Sequence, residues 1–401
     1  MIIYLYMHLI IDCTTTQNQL KYNGIGVYTK NVVRRLINDY DLDITLLMFN
    51  GESTLDPYLK GKSVHIERLG KLKLSDYKNV ITYFTKILPA IKKVRKEDSI
   101  YLCPYFWIGI PSRHIPTVLM IHDMILPLFN IYSEKGFIQN QIKKILYWLE
   151  LYKVKYCKAI LTNSKQSAKD IQKYFPKYPK EKIFVTHLDG ELEESKDIKG
   201  WDSSLPKDYK ERGYFIYLGG TPAKSKNSDG VVRGYREFLV KMKFDKRAPY
   251  LVISGKNFTK EVDPNVEKLK SRVSCLGLKD SVIFTGFYEN RYVKPLLSNS
   301  ISFIHLSLYE GFGISLIEAM RAGTPVIAHR GSCYPEVLGN GGVLVDGLNA
   351  KEVGDVMYKI YTEDRYRDEL IKKGKERAKD FSWDETVEKT VRVFKEIEKE
   401  M

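Results

Sequence analysis

Two patterns of apolar and polar positions alternate along this chain. Short continuous runs rich in Ile, Val, Leu and aromatic residues are separated by longer stretches in which apolar residues recur every three or four positions. The first pattern predicts strands buried on both faces, as in a parallel sheet, and the second predicts helices lying over them. One series of strands is expected over residues 3–12, 44–49, 100–103, 118–122, 159–162 and 182–186. The run Asn23-Gly-Ile-Gly-Val-Tyr-Thr-Lys30 reads as a glycine turn entering a helix that ends near residue 38. Ser164 reads as the cap of another helix, with Ala168, Ile171 and Phe175 on one face.

Residues 196–213 break the pattern: they are polar, turn-rich and without period, and they read as a linker. A second series follows, with strands expected over 214–218, 251–254, 282–285, 301–305, 326–328 and 343–345. The chain closes on a helix whose stripe is Val387, Val391, Phe394 and Ile397. The expectation is therefore an α/β protein of two doubly wound domains, 1–195 and 214–380, facing one another across a cleft at their strand ends, with a terminal helix over 381–401.

Length agrees, because 401 residues exceed what one hydrophobic core usually organises. A hydrophobic content of 44% beside 28% charged residues is that of an ordinary soluble protein. Charge sharpens the picture. The chain carries a net +15, of which +10 falls in the first 200 residues. A basic first half suggests an anionic partner: a membrane surface, a nucleic acid or a phosphorylated substrate. Nucleic acid is not expected, since the aromatics are not interleaved as stacking platforms and no readout motif is present. The five cysteines show no C-x-x-C spacing, which argues for a reducing compartment and against a zinc site. The apolar start is interrupted by His8, stopped by Asp12 and too short to span a bilayer. It reads as a buried strand, and a cytoplasmic protein is expected.

Candidate chemistry centres on Glu310-Gly-Phe-Gly-Ile-Ser-Leu-Ile-Glu318, set between two predicted strands. Gly311 and Gly313 clear side chains from a strand-to-helix turn, so a diphosphate could approach the backbone amides at the helix N-terminus. Glu318, one turn into the helix, could accept both hydroxyls of a ribose, and Glu310 those of a second sugar. The bland alternative is a glycine-rich turn with two ordinary glutamates. Lys224 and Lys226, in Tyr217-Leu-Gly-Gly-Thr-Pro-Ala-Lys-Ser-Lys-Asn227, offer two cations to a leaving diphosphate, or are simply a solvated loop. His122, with Asp123, ends an apolar strand where ligand clefts open in such folds. Asp41-Leu-Asp43 mimics a manganese site but falls where a solvated turn is expected. No other carboxylate cluster has metal spacing, so no metal is expected. No G-x-S-x-G nucleophile appears either.

The stretch from Ser307 to Glu336, and above all Glu-Gly-Phe-Gly, the second glutamate, Ala319-Met-Arg-Ala-Gly-Thr-Pro-Val-Ile327 and Gly331-Ser-Cys-Tyr-Pro-Glu-Val-Leu-Gly339, closely resembles the retaining nucleotide-sugar glycosyltransferases of family 4. The resemblance is densest over residues 214–346. It implies the GT-B fold, two Rossmann-like domains with the C-terminal helix returning to the first. It implies that Glu310 contacts the transferred sugar, that Glu318 binds the nucleotide ribose, and that the amides of Gly311, Phe312, Gly313 and Ile314 hold phosphates and sugar. It places Gly219 and the Lys224–Lys226 loop at the diphosphate. The family's usual Arg-Lys-Asn is altered here, with Ser225 at the arginine position if one residue is inserted. It gives His122 a contact to the donor sugar, Gly24 and Gly26 a loop near diphosphate and acceptor, and Phe287 and Tyr288 a place beside the base.

Two basic amphipathic stretches, 77–96 and 139–158, are open to two readings: helices packed on the core, or attachment to anionic lipid. The activity expected is transfer of a sugar from a nucleotide diphosphate donor to a hydroxyl of a lipid-linked or polysaccharide acceptor. No cofactor is expected, and peripheral contact with the inner face of the membrane is envisaged. The altered cationic loop also leaves room for a non-catalytic partner of another transferase, and the scaffold for a sugar-nucleotide epimerase.

Overall fold

The structure is a computed structural model that describes residues 4–71, 82–105, 110, 113–130, 136–193, 199–219, 223–255, 258 and 263–401. Two compact units divide the chain. One comprises Met1–Leu188 with Ser382–Met401, and the other Asp189–Phe381.

The first unit is built on seven parallel strands: β1 (Tyr4–Asp12), β2 (Asp41–Asn50), β3 (His65–Lys71), β4 (Ser99–Cys103), β5 (Thr117–Ile121), β6 (Ala159–Thr162) and β7 (Ile183–Val185). Their order across the sheet is β3-β2-β1-β4-β5-β6-β7. Every residue of β4, β5 and β6 is buried, which is why these strands read as unbroken apolar runs rather than alternating ones. Helix α1 (Gly24–Asp39) buries Tyr28, Val32, Val33 and Leu36. Helix α2 is Phe137–Leu151. Helix α3 (Lys165–Tyr174) starts where Ser164 Oγ accepts a hydrogen bond from Ser167 N, 3.0 Å away.

Two sequence readings are corrected here. Strand β3 is absent from the expectation because only Glu67 and Leu69 of His65–Lys71 are buried. As an edge strand it carries no apolar run. Asp41 and Asp43 do not form a turn. They open β2, with Asp43 opposite His8 on β1, and the Asp43 carboxylate pairs with Lys96.

The second unit holds six parallel strands: β8 (Tyr214–Leu218), β9 (Tyr250–Ser254), β10 (Val282–Gly286), β11 (Ser302–His305), β12 (Val326–His329) and β13 (Val343–Val345), in the order β10-β9-β8-β11-β12-β13. Helices α4 (Ser228–Lys241) and α5 (Ile314–Ala322) flank this sheet. Part of the expected linker, residues 194–198, lies outside the described residues. Its end is packed on this unit: the rings of Trp201, Tyr209 and Tyr214 meet edge to face, and Arg212 donates to Ala248 O and lies over the Tyr250 ring.

The terminal helix α6 (Trp383–Lys399) belongs with the first sheet. It buries Trp383, Val387, Val391, Phe394 and Ile397, each contributing roughly 1.5–3 kcal/mol by leaving water. Arg35 and Asp384 also pair at 2.5 Å, but Asp384 is 79% exposed, and such surface pairs contribute about 1 kcal/mol at most. Packing therefore fixes the helix, and the ion pair adds little.

In each sheet the chain winds outward in both directions from a central pair, β1 with β4 and β8 with β11. Ligands of doubly wound sheets gather at the carboxyl ends of that pair, which singles out the segments after β8 and β11.

Candidate functional site

After β8 the chain passes Gly219, whose amide bonds to Ser254 O at 2.9 Å. Residues 220–222 of the cationic loop lie outside the described residues. The loop then makes a tight turn at Lys224–Lys226 and enters α4 through Asn227, held at φ +50°. Asn227 explains why this loop is fixed. Its Nδ2 donates to Leu306 O and Gly347 O at 3.1 and 2.9 Å, and its Oδ1 caps Gly230 N. Leu308 N donates to Ser225 O at 2.7 Å, so the loop after β8 is tied to the segment after β11. The two lysines part company here. Lys224 is exposed, whereas Lys226 turns inward and places its Nζ 2.5 Å from Glu310 Oε1.

Glu310 is held by its backbone. Ser332 Oγ accepts from Glu310 N at 3.0 Å and donates to Glu310 O at 2.7 Å. Behind the carboxylate sits His305, 6% exposed, its Nε2 3.7 Å from the same oxygen. That is too long for a hydrogen bond but close enough for charge to be felt. Burial works against the charged form of Glu310. The Lys226 ammonium and His305 outweigh it and hold the carboxyl well below the usual range. Gly313, at φ +91°, takes the left-handed conformation that turns the chain into α5. Phe312 is buried edge-on against Phe381, and Cys333 Sγ donates to its carbonyl. The Phe312 side chain is therefore an anchor, and what it offers the site is backbone. The amides of Ile314 and Ser315 open α5 ahead of the first bonded one, Leu316 N, which donates to Gly313 O at 3.0 Å, and a helix N-terminus of this kind suits an anion.

Glu318 lies one turn further on, half-buried. Burial, and then the charge of Asp189, raise its carboxyl to about 7. Asp189 is itself held by Arg321 Nη2 at 2.8 Å. The neighbouring Gly190 crosses α5 so closely that a Cβ there would meet Glu318 N at 2.7 Å and Ile314 O at 2.8 Å. Both are backbone atoms and cannot give way cheaply. Gly190→Ala is expected to destabilise the protein by about 2 kcal/mol, within the range for overpacking. Denaturant titration beside the unmodified protein checks this, and equal midpoints would refute the close approach.

Elsewhere in the second unit Tyr288 follows β10, its hydroxyl 2.7 Å from Ser204 Oγ, while Phe287 is exposed. The first unit places its candidates separately. Gly24 and Gly26 lie inside the first turn of α1 rather than in a loop before it. Gly24 is exposed, and a Cβ on Gly26 would strike Leu20 O at 2.4 Å. His122 follows β5, 9% exposed, with Tyr28 edge-on against its ring at 5.2 Å. Its Nε2 donates to Pro104 O at 3.0 Å, leaving Nδ1 as the nitrogen with a free lone pair. Burial lowers its pKa to about 4, so the ring is neutral at pH 7. No group of three or more metal-ligating side chains occurs among the described residues.

Four positions escaped the sequence reading: His305, Ser332, Asp189 and Gly190. A histidine closing an otherwise apolar strand was a usable signal for the first. Ser332 sits at φ +57°, rare for a non-glycine residue, and sequence gives no sign of that. Asp189 and Gly190 meet Glu318 only through the fold.

The family described as Glycosyl transferases group 1 matches residues 206–377, and that described as Glycosyltransferase Family 4 matches residues 22–188. The O-antigen chain mannosyltransferase B of Escherichia coli is 25% identical, over 94% of this chain and 97% of that protein. A serotype-specific mannosyltransferase, WbdA, also of Escherichia coli, is 24% identical over 97% of this chain, which spans 48% of that longer protein. Among solved structures, Anabaena Alr3699/HepE in complex with UDP and glucose superposes with a TM-score of 0.70 at 15% identity, covering 98% of this chain and all of the other. WaaG, a glycosyltransferase involved in lipopolysaccharide biosynthesis, gives 0.69 at 12% identity, over 96% and 99% of the two chains.

Proposed function

Because the chain belongs to the group 1, family 4 glycosyltransferases, we propose that it moves a hexose, mannose first among the candidates, from a nucleotide diphosphate sugar to a hydroxyl of a growing or lipid-linked polysaccharide, with retention at the anomeric carbon. The observation that carries this reading is the convergence of Lys226, Glu310 and the open amides of α5 at the carboxyl ends of β8 and β11. Mannose and a polysaccharide acceptor rest on the relatives, two of which are named as O-antigen or serotype-specific mannosyltransferases.

In this reading the diphosphate lies over the N-terminus of α5, between the amides of Gly311 to Ile314 and the ammonium of Lys226. Glu310 accepts hydroxyls of the sugar, and Glu318 accepts those of the ribose. As the bond from the anomeric carbon to the phosphate oxygen breaks, negative charge grows on the diphosphate, and Lys226 is already in place to receive it. The acceptor oxygen attacks from the face the diphosphate is leaving, and its proton passes to a phosphate oxygen. No side chain of the site is needed as a nucleophile. The protein contributes position and a fixed field. Within the first unit His122 is neutral and keeps Nδ1 open to accept a hydroxyl, while Gly26 makes way for the backbone of Leu20 and Lys21. Lys224 adds a weaker, solvent-screened charge. Four of the five cysteines are buried and none stands in a C-x-x-C pair, a usage that fits the reducing interior of a cell.

Thermal-shift measurements against UDP, GDP, TDP and their hexose conjugates test the donor. One base should raise the melting temperature by several degrees, since ligand at a hundred times Kd adds about 2.7 kcal/mol. Binding of none would refute the reading. Transfer or hydrolysis by the purified protein separates catalysis from a supporting role, and a sugar nucleotide changing configuration without acceptor would mark an epimerase.

A further inference from the structure

Helix α2 is amphipathic the wrong way round for a soluble surface. Its inward face carries Tyr147, Glu150 and Leu151, all buried. Its outward face carries Ile138, Ile142, Ile145, Leu146 and Leu149, continued by Tyr152 just past its end, and all six are exposed, Ile145 and Leu149 by 60% and Ile138 by 73%. Their spacing of four, three, one, three and three residues is that of one helical stripe. Phe137, at the head of the helix, is 78% exposed. Isolated exposed apolar residues need no explanation, but a contiguous stripe this long does.

The charges around the stripe identify its occupant. At 100° per residue Lys143 and Lys144 fall about 130° to either side of the stripe's centre, at the two margins of the buried face, and both are half-buried. Beyond its end Lys155 lies 3.7 Å over the Tyr152 ring and 5.0 Å over that of Tyr156, and Arg113 lies over the other side of this cluster, 4.3 Å from the Tyr156 ring. Lys153 stands 5.7 Å from the ring of Phe84, itself 54% exposed. Residues 137–158 hold five lysines and one acid, Glu150, which is buried and paired with Lys153. Aliphatic side chains flanked by cations, with tyrosines at one end, match an anionic bilayer: the stripe enters the acyl boundary while the lysines reach up to phosphates. A second copy of this chain fits poorly. A dyad would set this cation-rimmed face against itself, and the one acid of residues 137–158, Glu150, is buried and already paired with Lys153.

We infer that α2 is a membrane-docking element that lays the first unit on an anionic lipid surface, with Ile138, Ile142, Ile145, Leu146 and Leu149 inserted and Lys143, Lys144 and Lys155 at the headgroups. This holds whichever sugar is moved and does not depend on the donor assignment.

Vesicle co-sedimentation tests it, using phosphatidylcholine alone and phosphatidylcholine with 30%, by design, of phosphatidylglycerol, an amount chosen as roughly that of an anionic leaflet. The full chain should partition to the anionic vesicles at least about tenfold more strongly than to the neutral ones, and salt should weaken this. Ile142→Glu with Leu149→Glu should abolish partitioning, and Lys143→Glu with Lys144→Glu should reduce it about tenfold. Both pairs are exposed or flanking, so circular dichroism and the nucleotide thermal shift should be unchanged. Unaltered partitioning of the Ile142→Glu, Leu149→Glu protein would overturn the inference, as would absence of binding to either vesicle. A concentration-dependent dimer that this variant dissolves would overturn it in favour of a second copy.

Discussion

Lys226→Met is expected to lower the turnover of sugar transfer by about 10²–10³-fold, the loss usual when one fixed group facing developing charge is removed. The reason lies in how few cations the site commits. Lys224 points to solvent, Ser225 is buried and bonded through its carbonyl to Leu308 N, and only Lys226 turns into the site. A methionine keeps the length of the side chain and removes its charge. Glu310→Gln should cost a comparable factor for a different reason, since an amide cannot accept two hydroxyls as a carboxylate does. The pair also has a structural signature. Lys226→Met leaves Glu310 half-buried without its cation. That should cost about 2 kcal/mol, less than the 3–5 kcal/mol typical of fully buried pairs, because both side chains keep some contact with water. Adding Glu310→Gln to Lys226→Met should restore most of that stability and none of the activity. Chemical denaturation and initial-rate kinetics on the four proteins of the cycle measure both quantities. Full turnover in either single variant would remove Lys226 and Glu310 from the mechanism.

The same two residues show what sequence can and cannot convey. Glu310 stood out because it opens a glycine turn between two apolar runs, and strand, turn and helix are all local properties. The strands of both sheets were readable for the same reason: buried parallel strands are continuous apolar runs, and β4, β5 and β6 are buried at every position. The edge strand β3 was not readable, because an edge has little to bury. Which lysine of the cationic loop faces the site was also hidden. That choice is made by Asn227, whose left-handed backbone and bonds to Leu306 and Gly347 turn the loop, and both partners are distant in sequence. Helix α2 teaches a third limit. Its period announced a stripe, but a period does not say which side of a helix the protein covers. Burial of Tyr147 and Leu151, and exposure of Ile142 and Leu149, decided that.

Glu318→Gln is expected to make the protein more stable and a poorer binder of nucleotide, both in a pH-dependent way. Burial and the charge of Asp189 raise the Glu318 carboxyl from near 4.5 to about 7. A carboxyl with a higher pKa in the folded state than in the unfolded one holds its proton more firmly when folded, so stability falls as pH rises from about 4.5 to 7. A tenfold change in proton affinity is worth about 1.4 kcal/mol, which makes up to about 3 kcal/mol the cost of keeping Glu318 ionised above pH 7. Glutamine has the same shape and never ionises. The melting temperatures of the two proteins should therefore nearly coincide near pH 4, below both pKa values, and separate by several degrees at pH 8, the variant being higher. A gap that does not change with pH would refute the raised pKa. Affinity should move the other way. An ionised Glu318 can accept both ribose hydroxyls, so the unmodified protein should bind nucleotide more tightly as pH rises through 7, while the variant binds weakly and evenly. Binding would then draw a proton off Glu318, and calorimetry in two buffers of different ionisation enthalpy should register its release near pH 7 and none from Glu318→Gln. The strained carboxylate is the kind of stability cost that functional sites carry, and the nucleotide that needs it is what would relieve it.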